Sequence, residues 1–476
     1  MKNEIINYLK DKKITLLGLA KSNLVVARML SEFNIPFSVC DRSEKLNCDS
    51  LSNNKNINWY LGEDYLKHIY ADIIFRSPGI SYSMPEIEKA RLIDGSEITS
   101  ETEIFFRFSK NTTIGITGSD GKTTTSTIIF EIFKNLNLKV LLGGNNGYPL
   151  LSFIDDIQEK DTIISELSSF QLISMKQSPD ISIITNLSPN HLDIHKSLDE
   201  YIDAKKNIFK YQNKNSFLIL NYENKNTLNF QEQTPGKTLF FSTKNKINKN
   251  NFENYLCVNK KDIIVFKYKR QNINIIDKKE IKIIGEHNLK NFLAAIGAVL
   301  CFYIKKSEFE NNIEKIKKAI AKTAKEFSGV EHRIEFVREL NKIKFYNDSI
   351  ASTPTRTIEG SLKVFKNIIL ICGGYDKNLC YDILAEEICK EKTNVKILIL
   401  MGQTAKKIEM SIRKFDKKKL KIIKIASMED AVKQAWNVAE ENDSIVLSPA
   451  SASFDMYKNY EERGNHFKDI VNSLFS

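Results

Sequence analysis

Short runs of apolar residues alternate with amphipathic stretches from one end of this chain to the other. The first set is KITLLGLA, NLVVARMLSEF and PFSVCDRS, which predicts a strand, a helix and a second strand. Runs such as DTIISEL, NIILICGG and DSIVLSPA repeat the pattern further along. Because two parallel strands need a crossover between them, usually a helix, the alternation predicts βαβ units. We therefore expect an α/β protein built on parallel sheets.

The chain is too long for one ordinary domain. Its 476 residues are predicted to form three blocks, at 1–103, 104–330 and 331–476. A polar tract rich in Asn and Lys, from about residue 213 to 279, interrupts the second block with short β-like runs inside it. No internal repeat or long low-complexity linker marks the boundaries.

Composition argues against several classes of protein. With 42% hydrophobic residues, the chain can bury several cores and is not disordered. The net charge of +11 is spread along the chain without a nucleic-acid-binding motif, so no nucleic-acid partner is expected. The seven cysteines include no CxxC pair, which argues against a disulfide framework and a structural zinc site.

The N-terminus and the hydropathy pattern predict where the protein is found. The opening segment MKNEIINYLKDKK places charged residues where a signal peptide needs an apolar run. No stretch is predicted to reach the length of a transmembrane helix. We therefore expect a cytoplasmic protein without membrane insertion, and we expect it to be a monomer.

The segment IGITGSDGKTTT, residues 114–125, has the composition of a phosphate-binding loop between a strand and a helix. Small residues let backbone N–H groups converge on phosphate oxygens, and a helix N-terminus favours anions. Lys122 is then placed to reach the terminal phosphates of a nucleotide, and the Thr123 hydroxyl to ligate Mg²⁺. The general motif needs a glycine where this chain has Ile116, so a tight turn before a buried helix remains the alternative.

Three polar residues further along are candidates for a metal site. The strand DTIISE ends at Glu166, and the carboxyl ends of parallel strands are where open α/β sheets bind ligands. Mg²⁺ on nucleotide phosphates takes oxygen ligands, among them carboxylates. His191 lies in SPNHLDIH, and Lys205 lies in the helical segment YIDAKK. Taken alone, Glu166 is more commonly explained by a helix cap or a surface charge, and periodicity alone makes Lys205 an ordinary surface lysine.

Taken together and in order, these segments resemble the Mur ligase family over essentially the whole chain. TGSDGKTTT resembles the family's ATP loop, and NHLDIH followed by YIDAK resembles its magnesium-binding histidine and carbamylated lysine. GEHNLKN resembles its nucleotide-contacting segment, while EHR, NDS and GGYDK resemble parts of its C-terminal domain. LSPASASFDMYKNYEERGNHF resembles its closing signature. ELSSFQL resembles the corresponding stretch of the branch that adds D-glutamate.

The resemblance implies a fold and an activity. The fold has an N-terminal Rossmann-like domain that binds the UDP group, a central P-loop ATPase-like domain with a parallel sheet, and a C-terminal Rossmann-like domain that binds the amino acid. The activity is the ATP- and Mg²⁺-dependent addition of D-glutamate to UDP-N-acetylmuramoyl-L-alanine through an acyl phosphate. This step belongs to peptidoglycan precursor synthesis.

The resemblance also assigns roles to particular residues. The implied catalytic residues are Lys122, His191 and Lys205, and the implied metal ligands are Thr123, Glu166, His191 and Lys205. The implied ATP-binding residues are Gly118, Ser119, Asp120, Gly121, Lys122, Thr123, Thr124, Asn288, Asn291 and Arg333. The UDP substrate is expected at Gly18, Leu19, Ala20, Ser22, Asp41, Gly79 and Asn145, and D-glutamate at Lys377, Ser453, Tyr460 and Ser352. For Asp41 a turn-forming role is an equally good explanation.

Other functions compete with this interpretation. The nearest are sibling ligases that add L-alanine, a diamino acid or a dipeptide, and the related folylpolyglutamate ligase. ELSSFQL and the NDSIA segment argue against these. A regulatory nucleotide-binding module without ligase chemistry would lack Glu166, His191 or Lys205, and all three are present. An NAD-dependent dehydrogenase fits only the first block, whose turn after the first strand lacks GxGxxG.

One position departs from the pattern of some family members, which have a lysine after Asn-Asp-Ser. Ile350 stands there in this chain, with the hydroxyls of Ser352 and Thr353 close by in sequence. We expect Lys377 and these hydroxyls to hold the carboxylates of D-glutamate.

Lys377→Ala should therefore raise the KM for D-glutamate far more than Ile350→Lys changes it, because only the first change removes a cation from the predicted pocket. ATP-dependent phosphate release at varied D-glutamate concentration measures both values. A KM for D-glutamate that Lys377→Ala leaves unchanged would show that the pocket is placed wrongly.

Overall fold

The structure is a computed structural model of the chain. It describes residues 1–475 except 47–50, 52–53, 146–147, 189–196, 246, 248–251, 253, 284, 391–393 and 417–418. The chain divides into two compact units, Met1–Phe327 and Ser328–Ser476. The first unit contains two sheets and the second contains one. Most neighbouring strands in the three sheets are parallel, which confirms the predicted α/β class with parallel-rich sheets.

The first sheet of the first unit is wholly parallel. Its strands are β1 (Ile14–Leu17), β2 (Phe37–Asp41), β3 (Ile57–Leu61), β4 (Ile73–Arg76) and β5 (Glu97–Thr99). The accompanying helices are α1 (Lys2–Leu9), α2 (Lys21–Glu32), α3 (Pro85–Leu92) and α4 (Glu101–Phe108). The strand order is β3-β2-β1-β4-β5. Because the order reverses between β1 and β4, their carboxyl ends form a switch point, the place where open α/β sheets bind ligands.

The second sheet of the first unit is larger. Its strands are β6 (Thr112–Thr117), β7 (Val140–Gly144), β8 (Thr162–Glu166), β9 (Ile181–Ile184), β10 (Phe217–Asn221), β11 (Lys237–Ser242), β12 (Tyr255–Val258), β13 (Ile263–Tyr268) and β14 (Gln271–Asp277). Its helices are α5 (Lys122–Asn135), α6 (Ser169–Leu172), α7 (Leu198–Lys210), α8 (Lys225–Leu228), α9 (Glu286–Lys305) and α10 (Phe309–Glu326). The order is β14-β13-β12-β11-β10-β9-β6-β8-β7, with β13 and β14 antiparallel to their neighbours. The polar tract predicted at 213–279 thus supplies the strands that extend this sheet.

Strand β6 lies between β8 and β9 in the middle of this sheet. The register pairs Ile116 with Glu166 on one side and Thr117 with Ile184 on the other. All residues of β8 and β9 are buried, as expected for parallel strands that are covered on both faces. The carboxyl ends of the three strands consequently lie side by side at one edge.

Helix α9 contradicts one prediction from the sequence. Its 20 residues contain a window with a mean hydropathy of 1.2, long and apolar enough by length and composition to cross a membrane. The prediction that no stretch reaches this length was therefore wrong. In the fold 78% of that window is buried, because α9 packs against α5 and against strands of the second sheet. An apolar surface on all sides is what a buried core helix requires.

The second unit contains a six-stranded sheet. Its strands are β15 (Glu335–Leu340), β16 (Ile343–Asn347), β17 (Ile368–Gly373), β18 (Val395–Met401), β19 (Lys421–Lys424) and β20 (Ser444–Leu447). Its helices are α11 (Pro354–Thr357), α12 (Asp382–Cys389), α13 (Ala405–Phe415), α14 (Met428–Val438) and α15 (Tyr460–Ser473). The order is β15-β16-β20-β17-β18-β19, and only the β15–β16 pair among these described strands is antiparallel. The domain boundaries at 103/104 and 330/331 stay predictions.

Candidate active site

Residues 118–121 form a tight loop between β6 and α5. Gly118 has a φ of +150° and Gly121 a φ of +81°, values that favour glycine. A Cβ atom on Gly118 would lie 1.9 Å from the Thr185 hydroxyl oxygen, and one on Gly121 would lie 2.2 Å from Asn291 Oδ1. Both positions therefore require glycine, because neighbouring side chains occupy the space that a side chain would fill.

The loop is held from the carboxyl end of β9. The backbone N–H of Ser119 donates to the carbonyl oxygen of Asn186 at 3.0 Å, and that of Asp120 donates to Asn186 Oδ1 at 3.0 Å. The Ser119 hydroxyl lies 2.9 Å from the Tyr201 hydroxyl on α7. These hydrogen bonds within the protein hold the backbone of the loop in one conformation.

Glu166 is buried beside this loop, with only 2% of its surface exposed. Its Oε2 accepts a hydrogen bond of 2.8 Å from the Thr123 hydroxyl, and its Oε1 accepts one of 2.9 Å from Asn145 Nδ2. Lys122 Nζ donates to the carbonyl oxygens of Gly118 and Ser119, at 3.0 and 3.1 Å. The structure therefore brings the predicted catalytic lysine, hydroxyl and carboxylate to one edge of the second sheet.

The donor atoms at this edge fit Mg²⁺ in chemical type. The Thr123 hydroxyl and the Glu166 carboxylate present neighbouring oxygens, which are the ligands that Mg²⁺ prefers. Within the described part of the chain, no group of three or more His, Cys, Asp and Glu side chains forms a metal site by itself. His191, the predicted third ligand, lies outside the described residues. A site completed by nucleotide phosphates is the arrangement typical of Mg²⁺.

Lys205 is not a surface residue, so that alternative from the sequence is wrong. It is 2% exposed, and its Nζ donates to Thr117 Oγ1 at 2.9 Å and to the Gly118 carbonyl oxygen at 3.0 Å. Burial, reinforced by the charge of Lys122, holds the pKa of Lys205 well below its usual value. The neighbouring Lys206 instead forms a surface ion pair with Asp203 at 2.9 Å. The neutral form of the Lys205 amine is thus more populated than that of an exposed lysine.

The start of α9 lies against the phosphate loop. Asn291 Oδ1 accepts a hydrogen bond of 3.5 Å from Thr125 Oγ1, and Asn291 Nδ2 donates to Asn288 Oδ1 at 3.4 Å. Thr124 is buried in the first turn of α5. The predicted ATP-binding segments 118–124 and 288–291 are therefore adjacent in space, although more than 160 residues separate them along the chain.

Most residues predicted for the UDP group surround the switch point of the first sheet. Asn145 does not, because it follows β7 and bonds Glu166 at the edge of the second sheet. Leu19 N–H donates to Asp41 Oδ2 at 2.7 Å, and the Ser77 hydroxyl donates to the Gly18 carbonyl oxygen at 2.8 Å. Gly79 is exposed in the turn after β4, and Ala20 and Ser22 lie at the start of α2. Asp41 Oδ1 also accepts from the backbone N–H of Ser43 at 2.8 Å, so the turn-forming role of Asp41 is confirmed, and its carboxylate has further lone pairs for a ligand.

In the second unit, the residues predicted for D-glutamate follow three adjacent parallel strands. Ser352 comes after β16, Lys377 after β17, and Ser453 and Tyr460 after β20. Lys377 Nζ lies 5.1 Å from the centre of the Phe454 ring. Arg333 precedes β15 in the same unit. These residues therefore share the carboxyl edge of the second unit's sheet.

Comparison with known proteins identifies the family. The model of the Mur ligase middle domain matches residues 116–299, and that of the Mur ligase glutamate ligase domain matches residues 332–451. The chain belongs to the Mur ligase family. This confirms the resemblance inferred from the sequence motifs.

Curated relatives agree with this membership, and solved structures share the fold. UDP-N-acetylmuramoylalanine–D-glutamate ligase from Acetivibrio thermocellus is 44% identical over 99% of this chain and 98% of its own. The ligase of that name from Ruminiclostridium cellulolyticum is 43% identical over the full length of both chains. A pseudomurein peptide ligase type C from Methanothermus fervidus shares the fold with a TM-score of 0.54 and 18% identity, covering 97% of this chain and 99% of that one. UDP-N-acetylmuramate–alanine ligase from Thermotoga maritima gives a TM-score of 0.51 at 17% identity, with the same coverage.

Several residues of this Mur ligase were missed by sequence reasoning. Asn186 and Tyr201 hold the phosphate loop, and Asn186 carries the same signal as Glu166, a polar residue after a buried strand. Arg463 lies within the closing signature and is 1% exposed. Its guanidinium donates to Ser349 Oγ and to the carbonyl oxygens of Ser349, Ser451 and Ala452, at 2.9–3.1 Å. It therefore joins the segments that follow β16 and β20, which no periodicity could reveal.

Gly121→Ala should weaken nucleotide binding by at least about tenfold, because the added Cβ collides with Asn291 and the left-handed backbone becomes strained. Titration with a fluorescent ADP analogue measures the affinity. Gly95→Ala is the matched control, since Gly95 has a φ of +71° but open space around its Cα. Equal affinities of Gly121→Ala and the unaltered protein would contradict the tight contact between the loop and α9.

Proposed function

We propose that this Mur ligase joins D-glutamate to UDP-N-acetylmuramoyl-L-alanine, with ATP converted to ADP and inorganic phosphate, in peptidoglycan precursor synthesis. The observation that carries the proposal is one edge of the second sheet, where a phosphate loop, a Thr123–Glu166 pair and the buried Lys205 lie together. Relatives named for this reaction, 42–44% identical over nearly the whole chain, support the choice of substrates.

The chemistry explains why such a site is needed. A carboxylate is a poor electrophile, so an amide does not form from a carboxylate and an ammonium at useful rates. ATP phosphorylates the L-alanyl carboxylate to an acyl phosphate, the D-glutamate amine attacks it, and inorganic phosphate leaves. Lys122 and the N-terminus of α5 offset negative charge on the transferred phosphoryl group, and the fixed loop positions it.

Thr123 and Glu166, with His191, would hold Mg²⁺ at this site, and the ion would neutralise charge on the phosphate oxygens. Asn145 bonds the second oxygen of Glu166 and so orients the carboxylate toward the Thr123 hydroxyl. Lys205 suits the metal only after modification. A protonated lysine has no acceptor atom, whereas a carbamate offers two oxygens and a negative charge.

The same proposal extends to the substrate sites and the domains. The switch point between β1 and β4 receives the UDP group, and the carboxyl edge of the second unit's sheet receives D-glutamate. Residues 1–103 and 331–476 are then Rossmann-like domains that precede and follow, along the chain, an ATPase-like domain at 104–330. A monomer in the cytoplasm, where ATP is available, completes the proposal.

Phosphate release should depend on both UDP-N-acetylmuramoyl-L-alanine and D-glutamate. We expect L-glutamate to be a poor substitute, and L-alanine, diamino acids and dipeptides to be inactive. A coupled phosphate assay with this panel of amino acids measures the preference. Turnover of L-alanine or of a diamino acid equal to that of D-glutamate would assign the chain to a sibling branch of the family.

Lys205→Ala should abolish turnover, and a short carboxylic acid added to the assay should partly restore it by supplying the lost oxygens. Lys206→Ala is the matched control, because Lys206 pairs with Asp203 on the surface and should tolerate the change. Bicarbonate should activate the unaltered protein already near neutral pH, since only neutral lysine reacts with CO₂ and the lowered pKa of Lys205 keeps that form populated there. Full activity of Lys205→Ala without rescue would exclude a carbamate.

A further inference from the structure

Arg76, the last residue of β4, is a buried cation bonded mainly to backbone carbonyl groups. It is 1% exposed, and its Nη1 donates to the carbonyl oxygens of Pro78 and Ile80. Its Nη2 donates to the carbonyl oxygen of Phe170, 94 residues further along the chain. Among the described residues, no Asp or Glu forms an ion pair with it. One side chain thus spans two separate segments of the first unit.

Burying the Arg76 guanidinium without a carboxylate partner costs free energy, which a residue that only fills space would not require. Burial lowers the pKa of Arg76 to about 10, so the guanidinium remains charged at neutral pH. Its Nε atom has no hydrogen-bond partner within the described chain. Apolar residues of similar volume often stabilise such a position as well or better. The guanidinium of Arg76 is better explained by the hydrogen bonds with which it joins two segments of the chain.

Both segments belong to the proposed active site. Ser77 to Ile80 form the turn after β4 at the switch point, where the UDP-linked acceptor is proposed to bind. Phe170 lies in α6, four residues after Glu166 at the end of β8. Arg76 therefore fixes the distance between a turn that lines the acceptor and the edge that carries the phosphate chemistry.

A second contact joins the same two regions. The Ser83 hydroxyl donates to Glu200 Oε1 at 2.9 Å, and Glu200 lies in the first turn of α7, the helix that carries Lys205. Between the two contacts, the Tyr82 ring lies 5.6 Å from the Arg76 guanidinium and 4.8 Å from that of Arg91. The segment 77–83 is thus attached to the second sheet's elements at both of its ends.

We propose that Arg76 is a positioning residue for the UDP-linked acceptor, because it holds the turn 77–80 at a fixed distance from the phosphate-binding edge. The inference rests on the proposed function, because it assumes that this turn lines the acceptor. The acceptor must reach from the first sheet to the transferred phosphoryl group, so it contacts both regions. Of these two regions, the nucleotide contacts only the second. Loss of the Arg76 link should therefore weaken acceptor binding and spare nucleotide binding.

The test is Arg76→Lys, which keeps the charge but loses the planar fork that reaches both segments. We expect the acceptor affinity, measured by calorimetry with UDP-N-acetylmuramoyl-L-alanine in the absence of ATP, to fall by at least about tenfold. The affinity for a fluorescent ADP analogue should stay within about twofold. Arg91→Lys is the matched control, because Arg91 faces the same Tyr82 ring from α3 and does not bond Phe170. It should leave both affinities within about twofold.

Ser83→Ala provides an independent test, since it removes the hydrogen bond from Ser83 to Glu200 with little loss of packing. Its acceptor affinity should fall in the same direction by a smaller factor. Unchanged acceptor affinity in Arg76→Lys, or an equal loss of acceptor and nucleotide affinity, overturns the inference in favour of a purely structural arginine. If Arg76→Lys does not fold, unchanged acceptor affinity in Ser83→Ala overturns it. Failure of the unaltered protein to bind the acceptor would instead overturn the proposed function.

Discussion

The loop between β6 and α5 keeps its shape because other elements occupy the space around it. Thr185 and Asn291 fill the volumes that side chains at positions 118 and 121 would need, and Asn186 bonds the backbone of the loop. Thr185 and Asn186 follow β9, whereas Asn291 belongs to α9. The loop is therefore a product of the whole second sheet and its core helix. Helix α9 is buried because it packs against α5 and strands of the second sheet, and its Asn291 lies against the loop.

Buried charge is the second theme of the structure. Lys205 and Glu166 lie beside the phosphate loop, and Arg76 and Arg463 each join segments that follow different strands. An unpaired charge in a protein interior is expensive, so each of these groups is surrounded by carbonyls, hydroxyls or amides. Their positions coincide with the carboxyl ends of parallel strands, where the proposed chemistry occurs. These buried charges cost stability, and they hold polar groups in fixed positions at the site.

The features of the site that depend on consecutive residues could be predicted from the sequence. The strands β1, β8, β9, β17 and β20 contain short runs of Ile, Leu and Val, and the glycine-rich segment after β6 predicts a phosphate loop. Glu166 could be proposed because it ends such a run. Helix α9 was missed as a long apolar helix, since its polar start, GEHNLKN, suggests a ligand-binding segment rather than a core element. His191 lies outside the described residues and stays a prediction, as do the domain boundaries.

The sequence by itself determined the α/β class, the glycine-rich loop before α5, the carboxylate at the end of β8 and, through motifs in order, the family. These features depend on a few consecutive residues, whose spacing and chemistry are visible in one dimension. Only the tertiary structure decided that Lys205 is buried while Lys206 is not, and that Arg76 reaches Phe170. The physical reason is that burial and long-range hydrogen bonds depend on which elements pack together. Two adjacent lysines on one helix look alike in sequence, and the difference between them arises when one face of α7 closes over the phosphate loop.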